Sequence, residues 1–393
     1  MQFIYINRGA SPTRYAEYLK KYNNQMQQQA QKYNQLLMEG LVENGAEVCS
    51  LSTRPINRII SKQKFFKGEK EQEKGILYDY IPFFNVKILR EFSVLFGIFH
   101  RILFAKGKKK DTVIICDGLN IAASMGAISA SFLRGFFTIG IVTDVPGHLS
   151  YSRRVSNAQK LNLAIMRSFR SYLLLTEQMN EIVNPKNRPY IVMEGHADQD
   201  MAKMENSLEG KNQKKIVMYA GSLMEIYGIK NLVEGFVTAN IPDTELHIYG
   251  SGDYEQKLKQ QSEKYDNVKY FGVAANSDIV KAEIEATLLV NPRPSHEDYT
   301  KYSFPSKNME YMASGTPVLT TKLPGMPKDH WKHVYMIEDE SAEGISIVLR
   351  ELFSKSETEL FEKGRQAKQF ILEEKNNIKQ AARLLDFLKN INI

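Results

Sequence analysis

Asn291-Pro292-Arg293-Pro294, followed by Tyr302-Ser303-Phe304-Pro305-Ser306-Lys307-Asn308-Met309-Glu310-Tyr311-Met312-Ala313-Ser314-Gly315-Thr316-Pro317-Val318, is the stretch that decides the architecture. Ser303 can cap a helix, Pro305 is tolerated in its first turn and Gly315 ends it, which predicts a helix over 304–314 and a strand over Pro317–Thr320. Lys307, Glu310, Tyr311 and Ser314 then share one face, while Met309, Met312 and Ala313 share another that suits a core. A helix N-terminus carries unpaired N–H groups and partial positive charge, which suits a phosphate. Lys307 adds a full charge there, Arg293 waits on the preceding loop, and Glu310 one turn deeper can accept hydrogen bonds from a ribose diol. The pattern reads as a nucleotide diphosphate site. Spacing alone also fits a plain surface Lys307–Glu310 pair worth a few tenths of a kcal/mol.

Outward from this stretch the chain alternates short apolar runs with longer helical periods. Upstream lie Ile216–Ala220, Glu245–Tyr249, Val268–Phe271 and Thr287–Val290 as strands, with helices at 228–240, 253–265 and 277–284, and two helices close the chain. The first half repeats the alternation: strands Phe3–Ile6, Glu47–Leu51, Thr112–Cys116, Phe136–Val142, Tyr172–Leu175 and Tyr190–Met193, with helices over 23–44 and 119–133. Continuous apolar strands between helices predict parallel sheets covered on both faces. The fold class is therefore α/β, two tandem doubly wound Rossmann-like domains, with ligands beyond the strand C-termini. The expected division is 1–196, a polar linker 197–214, a second domain 215–375, and a last helix in 376–393 packing back on the first domain.

The 393 residues are 43% hydrophobic and 25% charged, which excludes a disordered chain. Two cysteines, Cys49 and Cys116, exclude a disulfide scaffold and a cysteine-based zinc site. No signal peptide and no apolar run long enough to span a bilayer is read, so the expectation is a soluble, cytoplasmic protein. Charge is uneven: residues 1–195 carry a net +12, the remainder −5. The basic half also holds a Phe-rich run from Pro82 to Phe104 that ends in Lys106, Lys108, Lys109 and Lys110. Such a segment suits the headgroup region of an anionic leaflet, as a peripheral protein on the inner face of a plasma membrane; it equally describes a buried helix followed by a solvated turn. No nucleic-acid motif accompanies the charge, so nucleic acid is not an expected partner.

Four ordered segments give a resemblance. Ala313-Ser314-Gly315-Thr316-Pro317-Val318 behind Glu310, Tyr219-Ala220-Gly221-Ser222-Leu223 with Tyr227-Gly228-Ile229-Lys230-Asn231-Leu232, His247-Ile248-Tyr249-Gly250-Ser251-Gly252-Asp253, and Val268-Lys269-Tyr270-Phe271-Gly272 resemble, in order, the donor-binding half of GT-B glycosyltransferases of family four, the group 1 transferases. Tyr302-Ser303-Phe304-Pro305-Ser306-Lys307 resembles a capsule or exopolysaccharide subgroup. The first half matches only loosely, through Thr143-Asp144-Val145-Pro146-Gly147-His148 after a strand. Tyr302 stands where the family has its first glutamate, and Ser222 and Tyr227 stand where it has the arginine and lysine that grip the diphosphate. Arg293 and Lys307 are the cations available in exchange.

The resemblance implies a hexosyltransferase-type enzyme that retains anomeric configuration and uses no metal or other cofactor. Its substrates would be a nucleoside diphosphate sugar, with UDP as the commonest base choice, and a saccharide acceptor, expected to be lipid-linked. It places Gly221, Ser222, Tyr227, Gly250, Val273, Arg293, Tyr302, Ser303, Phe304, Ser306, Lys307 and Glu310 at the donor, and the catalytic set is Asp144, Arg293, Lys307 and Glu310. Asn7, Arg8, Gly9, Asp144 and His148 follow strands of the first domain and are acceptor-side candidates. Asp144 would orient or deprotonate the acceptor, although Asp-Val-Pro-Gly is also a plain turn. Asp198-Gln199-Asp200 has a metal-like spacing but lies in the polar linker without further oxygen ligands nearby. Two other readings stay open at this point, a sugar-nucleotide epimerase of the same fold and a non-catalytic sugar-nucleotide-binding partner.

Overall fold

The computed structural model describes residues 1–22, 28–146 and 156–393. These form two compact units, Met1–His196 with Asn377–Ile393, and Ala197–Asn376. In the first, the strands are β1 (Gln2–Asn7), β2 (Glu47–Ser52), β3 (Phe65–Phe66), β4 (Glu69–Glu73), β5 (Ile76–Tyr80), β6 (Phe83–Phe84), β7 (Thr112–Asp117), β8 (Phe137–Val142), β9 (Ser171–Leu174) and β10 (Tyr190–Val192). The second holds β11 (Lys215–Ser222), β12 (Thr244–Ser251), β13 (Val268–Gly272), β14 (Leu288–Asn291), β15 (Val318–Thr321) and β16 (Tyr335–Ile337). The helices in chain order are α1 (Pro12–Lys21), α2 (Gln28–Glu43), α3 (Lys87–Leu103), α4 (Ile121–Arg134), α5 (Asn157–Met166), α6 (Met179–Val183), α7 (Ile229–Ala239), α8 (Glu255–Lys264), α9 (Asn276–Glu285), α10 (Ser306–Ser314), α11 (Ala342–Ser354), α12 (Glu357–Glu374) and α13 (Asn377–Asn390).

The first unit is built on an eight-stranded sheet of order β10-β9-β8-β7-β1-β2-β5-β4. Its strands are parallel except β4, which runs antiparallel to β5 at one edge. Lys74 and Gly75, both at positive φ (50° and 75°), make that hairpin turn. The sequence reading missed the hairpin and the small β3–β6 ribbon: β4 is Glu-Lys-Glu-Gln-Glu with no apolar period, the two ribbon strands are two residues each, and β6 lies inside the Phe-rich run. It also missed the first helix, having read one only over 23–44. α1 starts at Pro12, where the Ser11 hydroxyl accepts from the Arg14 amide at 3.3 Å, and residues 23–27 lie outside the described residues.

α13 belongs to the first unit and packs on α2. A Cβ at Gly40 would stand 2.1 Å from the Asn377 carbonyl oxygen, so the two backbones touch there. Asn44 Nδ2 donates to the Ile378 carbonyl at 2.9 Å across the same crossing. Leu37, Leu41, Leu384 and Leu388 lie in one core with Phe3, Tyr5 and Ile115 of the sheet. No helix among the described residues is long and apolar enough to cross a membrane.

The second unit is an all-parallel sheet of order β13-β12-β11-β14-β15-β16. Its central strands are buried on both faces, which is why Ile216–Ala220 and Leu288–Asn291 read as unbroken apolar or small runs. Numbered within the unit the order is 3-2-1-4-5-6, so the direction of winding reverses between β11 and β14. β16 was missed, and three helices rather than two close the chain. The polar stretch 197–214 is part of this unit: Asn206 Nδ2 donates to the Ser314 carbonyl at 2.9 Å, and Lys211 Nζ donates to the Ile284 carbonyl and Thr316 hydroxyl.

Candidate functional site

The reversal between β11 and β14 opens a crevice at the strand C-termini, and four loops of the second unit meet there. β11 ends in Gly221-Ser222, β12 in Gly250-Ser251, β14 in Asn291, and α10 starts at Ser306. Gly250 has φ 129°, and a Cβ on it would stand 1.7 Å from the Gly221 carbonyl oxygen. Gly228, at φ 80°, is as close to the Pro292 carbonyl oxygen, with a notional Cβ 2.1 Å away. Only glycine satisfies both the backbone angle and the contact at these two positions.

α10 is fixed by buried neutral groups. The Tyr311 hydroxyl donates to the Ala220 carbonyl at 3.1 Å and accepts from the Ala220 amide at 2.8 Å. Asn291 Nδ2 donates to Asn308 Oδ1 at 2.7 Å, and Asn308 Nδ2 donates to the Thr320 hydroxyl at 3.2 Å, tying the helix to β14 and β15. Burial raises the Tyr311 phenol well above its ordinary value, so it stays protonated and keeps its donor. This corrects the face assignment made from spacing: Tyr311 and Ser314 are fully buried, and only Lys307 and Glu310 of that set are half-exposed.

Lys307 lies over Gly221. A Cβ on Gly221 would come 2.3 Å from Lys307 Cε and 3.2 Å from Cδ, so the bare backbone of the β11 loop is the bed for the lysine stem. The helix itself begins at Ser306 with Pro305 at the N-cap, and no side chain caps it. Ser303 therefore does not serve as the cap. Its hydroxyl instead accepts from Arg293 Nη1 at 3.0 Å. The Arg293 guanidinium lies over the Tyr227 ring, 4.3 Å from its centroid, and 5.9 Å from that of Tyr299. Its Nε is buried and has no hydrogen-bond partner. Tyr227, which stands where a lysine was expected, thus stacks on a cation delivered from the β14 loop.

The remaining donor-side residues divide. Ser222 is exposed at the end of β11. Val273 is 69% exposed just beyond β13, next to Phe271, whose ring stacks on Tyr249 at 4.7 Å. Tyr302 is half-buried at the end of a short turn of helix, Asp298–Tyr302. Phe304 departs from the expectation: its side chain is 4% exposed and packs edge-on against His330, so it is a core residue. Asp198 caps a turn of helix by accepting from the Asp200 amide at 2.9 Å, and Asp200 pairs with Lys203, so local structure accounts for both carboxylates.

In the first unit the acceptor-side candidates also divide. Asn7 is 3% exposed and turned inward, with Ser50 and Ser52 hydroxyls 3.5 Å from its amide. Gly9 is buried under Gln31, which bonds both the amide and the carbonyl of Ala10. Both residues shape the loop that follows β1. Arg8 is exposed and Asp144 half-buried just past β8. His148 lies outside the described residues. Sequence reading missed Asp117, the last residue of β7. Desolvation raises its carboxyl, opposed by the Leu119 amide and the Arg8 charge. The available signal was an acidic residue directly after the apolar run Thr112–Cys116, where sheet ligands gather.

Residues 200–369 match the family model described as "Glycosyl transferases group 1". The chain is a glycosyltransferase. Its α/β fold is that of solved GT-B structures. Sucrose-phosphate synthase from Thermosynechococcus elongatus is 12% identical, with a TM-score of 0.71 over 100% of this chain and 99% of that one. HepE from Anabaena in complex with UDP is 12% identical, with a TM-score of 0.66 over 99% of this chain and 100% of that one. A glycosyltransferase from Rickettsia africae is 13% identical, with a TM-score of 0.67 over 99% and 98%. No curated protein sequence matches the chain significantly. In this transferase the crevice beside Gly221, Arg293 and Lys307 falls inside the matched residues.

Proposed function

We propose that the second unit binds a nucleoside diphosphate sugar at the β11–β14 crevice. The chain then transfers the sugar to a saccharide acceptor, lipid-linked, in cell-surface polysaccharide synthesis of the capsule or exopolysaccharide kind. The observation that carries the donor reading is Lys307 laid across the bare backbone of Gly221 at an uncapped helix start. Arg293, with a buried Nε still unpartnered, supplies a second cation on the other side. The difficulty of the reaction is negative charge growing on the leaving diphosphate, and fixed cations and amides aimed there stabilise it. Arg293, Lys307 and the Ser306-region amides have that role, with Ser222 as a further donor. Glu310 accepts from sugar hydroxyls. Two side-chain cations and a helix start supply the positive charge, so the reading needs no metal, and retention of configuration is taken from the family resemblance alone. The base is proposed as UDP, supported by HepE, whose structures include complexes with UDP and with UDP-glucose.

Thermal unfolding with UDP, GDP, ADP, TDP and CMP, each with and without EDTA, tests this. A ligand at ~100 times its dissociation constant stabilises by about 2.7 kcal/mol, which moves the melting temperature by several degrees. A selective shift with UDP that EDTA leaves unchanged is the expected result. A shift that requires metal, or no shift with any diphosphate, overturns the proposal.

A further inference from the structure

α3 is amphipathic in an unusual sense: its inner stripe Val94, Ile98 and Ile102 is buried, and its outer stripe is apolar too. Ile88, Leu89, Phe92 and Phe96 are 67%, 52%, 55% and 61% exposed. α4 crosses α3 closely, since a Cβ on Gly126 would stand 2.5 Å from the Leu95 carbonyl oxygen. It adds Phe132 and Leu133, at 76% and 63% exposed. Scattered exposed apolar residues are ordinary, but a run of this kind along two packed helices is not.

Charge identifies what covers it. Residues 84–135 hold eight Lys and Arg against three Asp and Glu. Lys106, Lys108, Lys109 and Lys110 are all exposed, in the loop that follows α3. The N-terminal end of α3 also meets the loop that follows β2, where Arg90 Nη1 donates to the Ile56 carbonyl at 2.5 Å. The Arg8 guanidinium, on the loop after β1, interacts electrostatically with Glu91 of α3 and with Asp117 at the end of β7. We infer that the outer face of α3 and the adjoining corner of α4 form a bilayer-docking surface for an anionic leaflet. Aromatic and aliphatic side chains enter the headgroup boundary while the lysine loop meets anionic lipid. The acceptor-side edge, Arg8 and Asp117, is held next to that surface. This rests on the lipid-linked acceptor of the preceding reading and supplies its place of encounter.

The test is co-sedimentation of the full chain with vesicles of phosphatidylcholine alone and with 30% phosphatidylglycerol, at low and high salt. The UDP-induced melting shift is measured in parallel on every variant. Binding to the anionic vesicles only, weakened by salt, is expected. Replacing Lys108, Lys109 and Lys110 by Gln lowers the partition coefficient about 100-fold, at roughly fivefold per lysine. F92S with F96S lowers it at least about tenfold, since each ring leaves the interface. All five positions are exposed, so an unchanged melting temperature verifies folding. No binding, equal binding to neutral vesicles, or a dimer in solution that F92S/F96S dissociates overturns the inference. For the parent chain, absence of vesicle binding with the UDP shift intact refutes only the surface. Loss of the UDP shift with vesicle binding intact refutes only the donor site.

Discussion

Gly221→Ala separates the site from the fold. Gly221 has no positive φ, so alanine is sterically acceptable to the backbone itself and can stabilise by about 0.4–1 kcal/mol through the unfolded chain. Its Cβ, however, would sit 2.3 Å from Lys307 Cε and 2.9 Å from the Tyr219 hydroxyl, where ordinary contact begins at 3.4 Å. The tyrosine needs to give only a few tenths of an ångström, and its bond to the Ser222 carbonyl at 2.8 Å can lengthen. The lysine must move by more than 1 Å, which its flexible stem allows at little cost. The ammonium then leaves the position from which it meets a phosphate. A hydrogen bond to a charged group is worth about 1.5–3 kcal/mol, so UDP affinity should fall about 10- to 150-fold while the melting temperature stays within a few degrees of the parent.

The assay is calorimetric titration of UDP into the parent, Gly221→Ala, Lys307→Met and the double variant. If alanine acts by displacing Lys307, the double variant binds no more weakly than Lys307→Met alone. Additive penalties would show that Gly221 is needed for its own backbone and would refute the Lys307 argument. Parent-like binding by Gly221→Ala would refute it more directly.

Gly250→Ala has the opposite outcome. Its Cβ meets backbone, 1.7 Å from the Gly221 carbonyl oxygen at φ 129°, and nothing flexible can yield, so the melting temperature should fall sharply and soluble yield with it. Arg293→Lys keeps the charge but loses the planar stack over Tyr227 and the guanidinium fork that reaches Ser303. UDP binding should weaken at least about fivefold, and a parent-like value would show that only net charge matters. Asp117→Asn tests the desolvated carboxyl. Its folded value is raised, so any stabilisation from the protonated form is present at acid pH and is lost as pH rises through that value. The variant should therefore melt higher than the parent at pH 7 and no higher at pH 3.5. An equal difference at both values would rule out ionisation as the cause.

The second unit was legible because its central strands carry apolar runs and its turns carry glycine. Lys215–Ser222, Thr244–Ser251 and Leu288–Asn291 lie within two residues of the expected runs at every end. What stayed hidden was partner choice. Periodicity put Tyr311 on the same face as Lys307, but no local pattern shows that its hydroxyl closes both hydrogen bonds of Ala220, 91 residues away. Likewise Ser303 is a plausible cap by residue type, and only the return of Arg293 to that point gives its oxygen a different donor. Phe304 looked like a ligand contact because it sits in the signature, and His330 claims it for the core. The charged β4 strand escaped because an edge strand needs no apolar period, and only Lys74-Gly75 marked it.

The departures from the family pattern are physically coupled. A lysine at 227 would bring a second cation toward Arg293, and the two would repel. A tyrosine there instead offers a ring face 4.3 Å from the guanidinium. Moving the cation from the β11 loop to the β14 loop therefore requires an aromatic at 227 and an acceptor at 303, and this chain has both. The neutral anchors, Tyr311 and the Asn291–Asn308–Thr320 chain, hold α10 without using a formal charge. Fixing the helix with carboxylates would have cancelled the positive field that a diphosphate needs. The arrangement predicts that Tyr227→Lys alone weakens UDP binding and that Tyr227→Lys with Arg293→Ser restores part of it. A double variant no better than the worse single one would show that the two positions are not exchanging a cation.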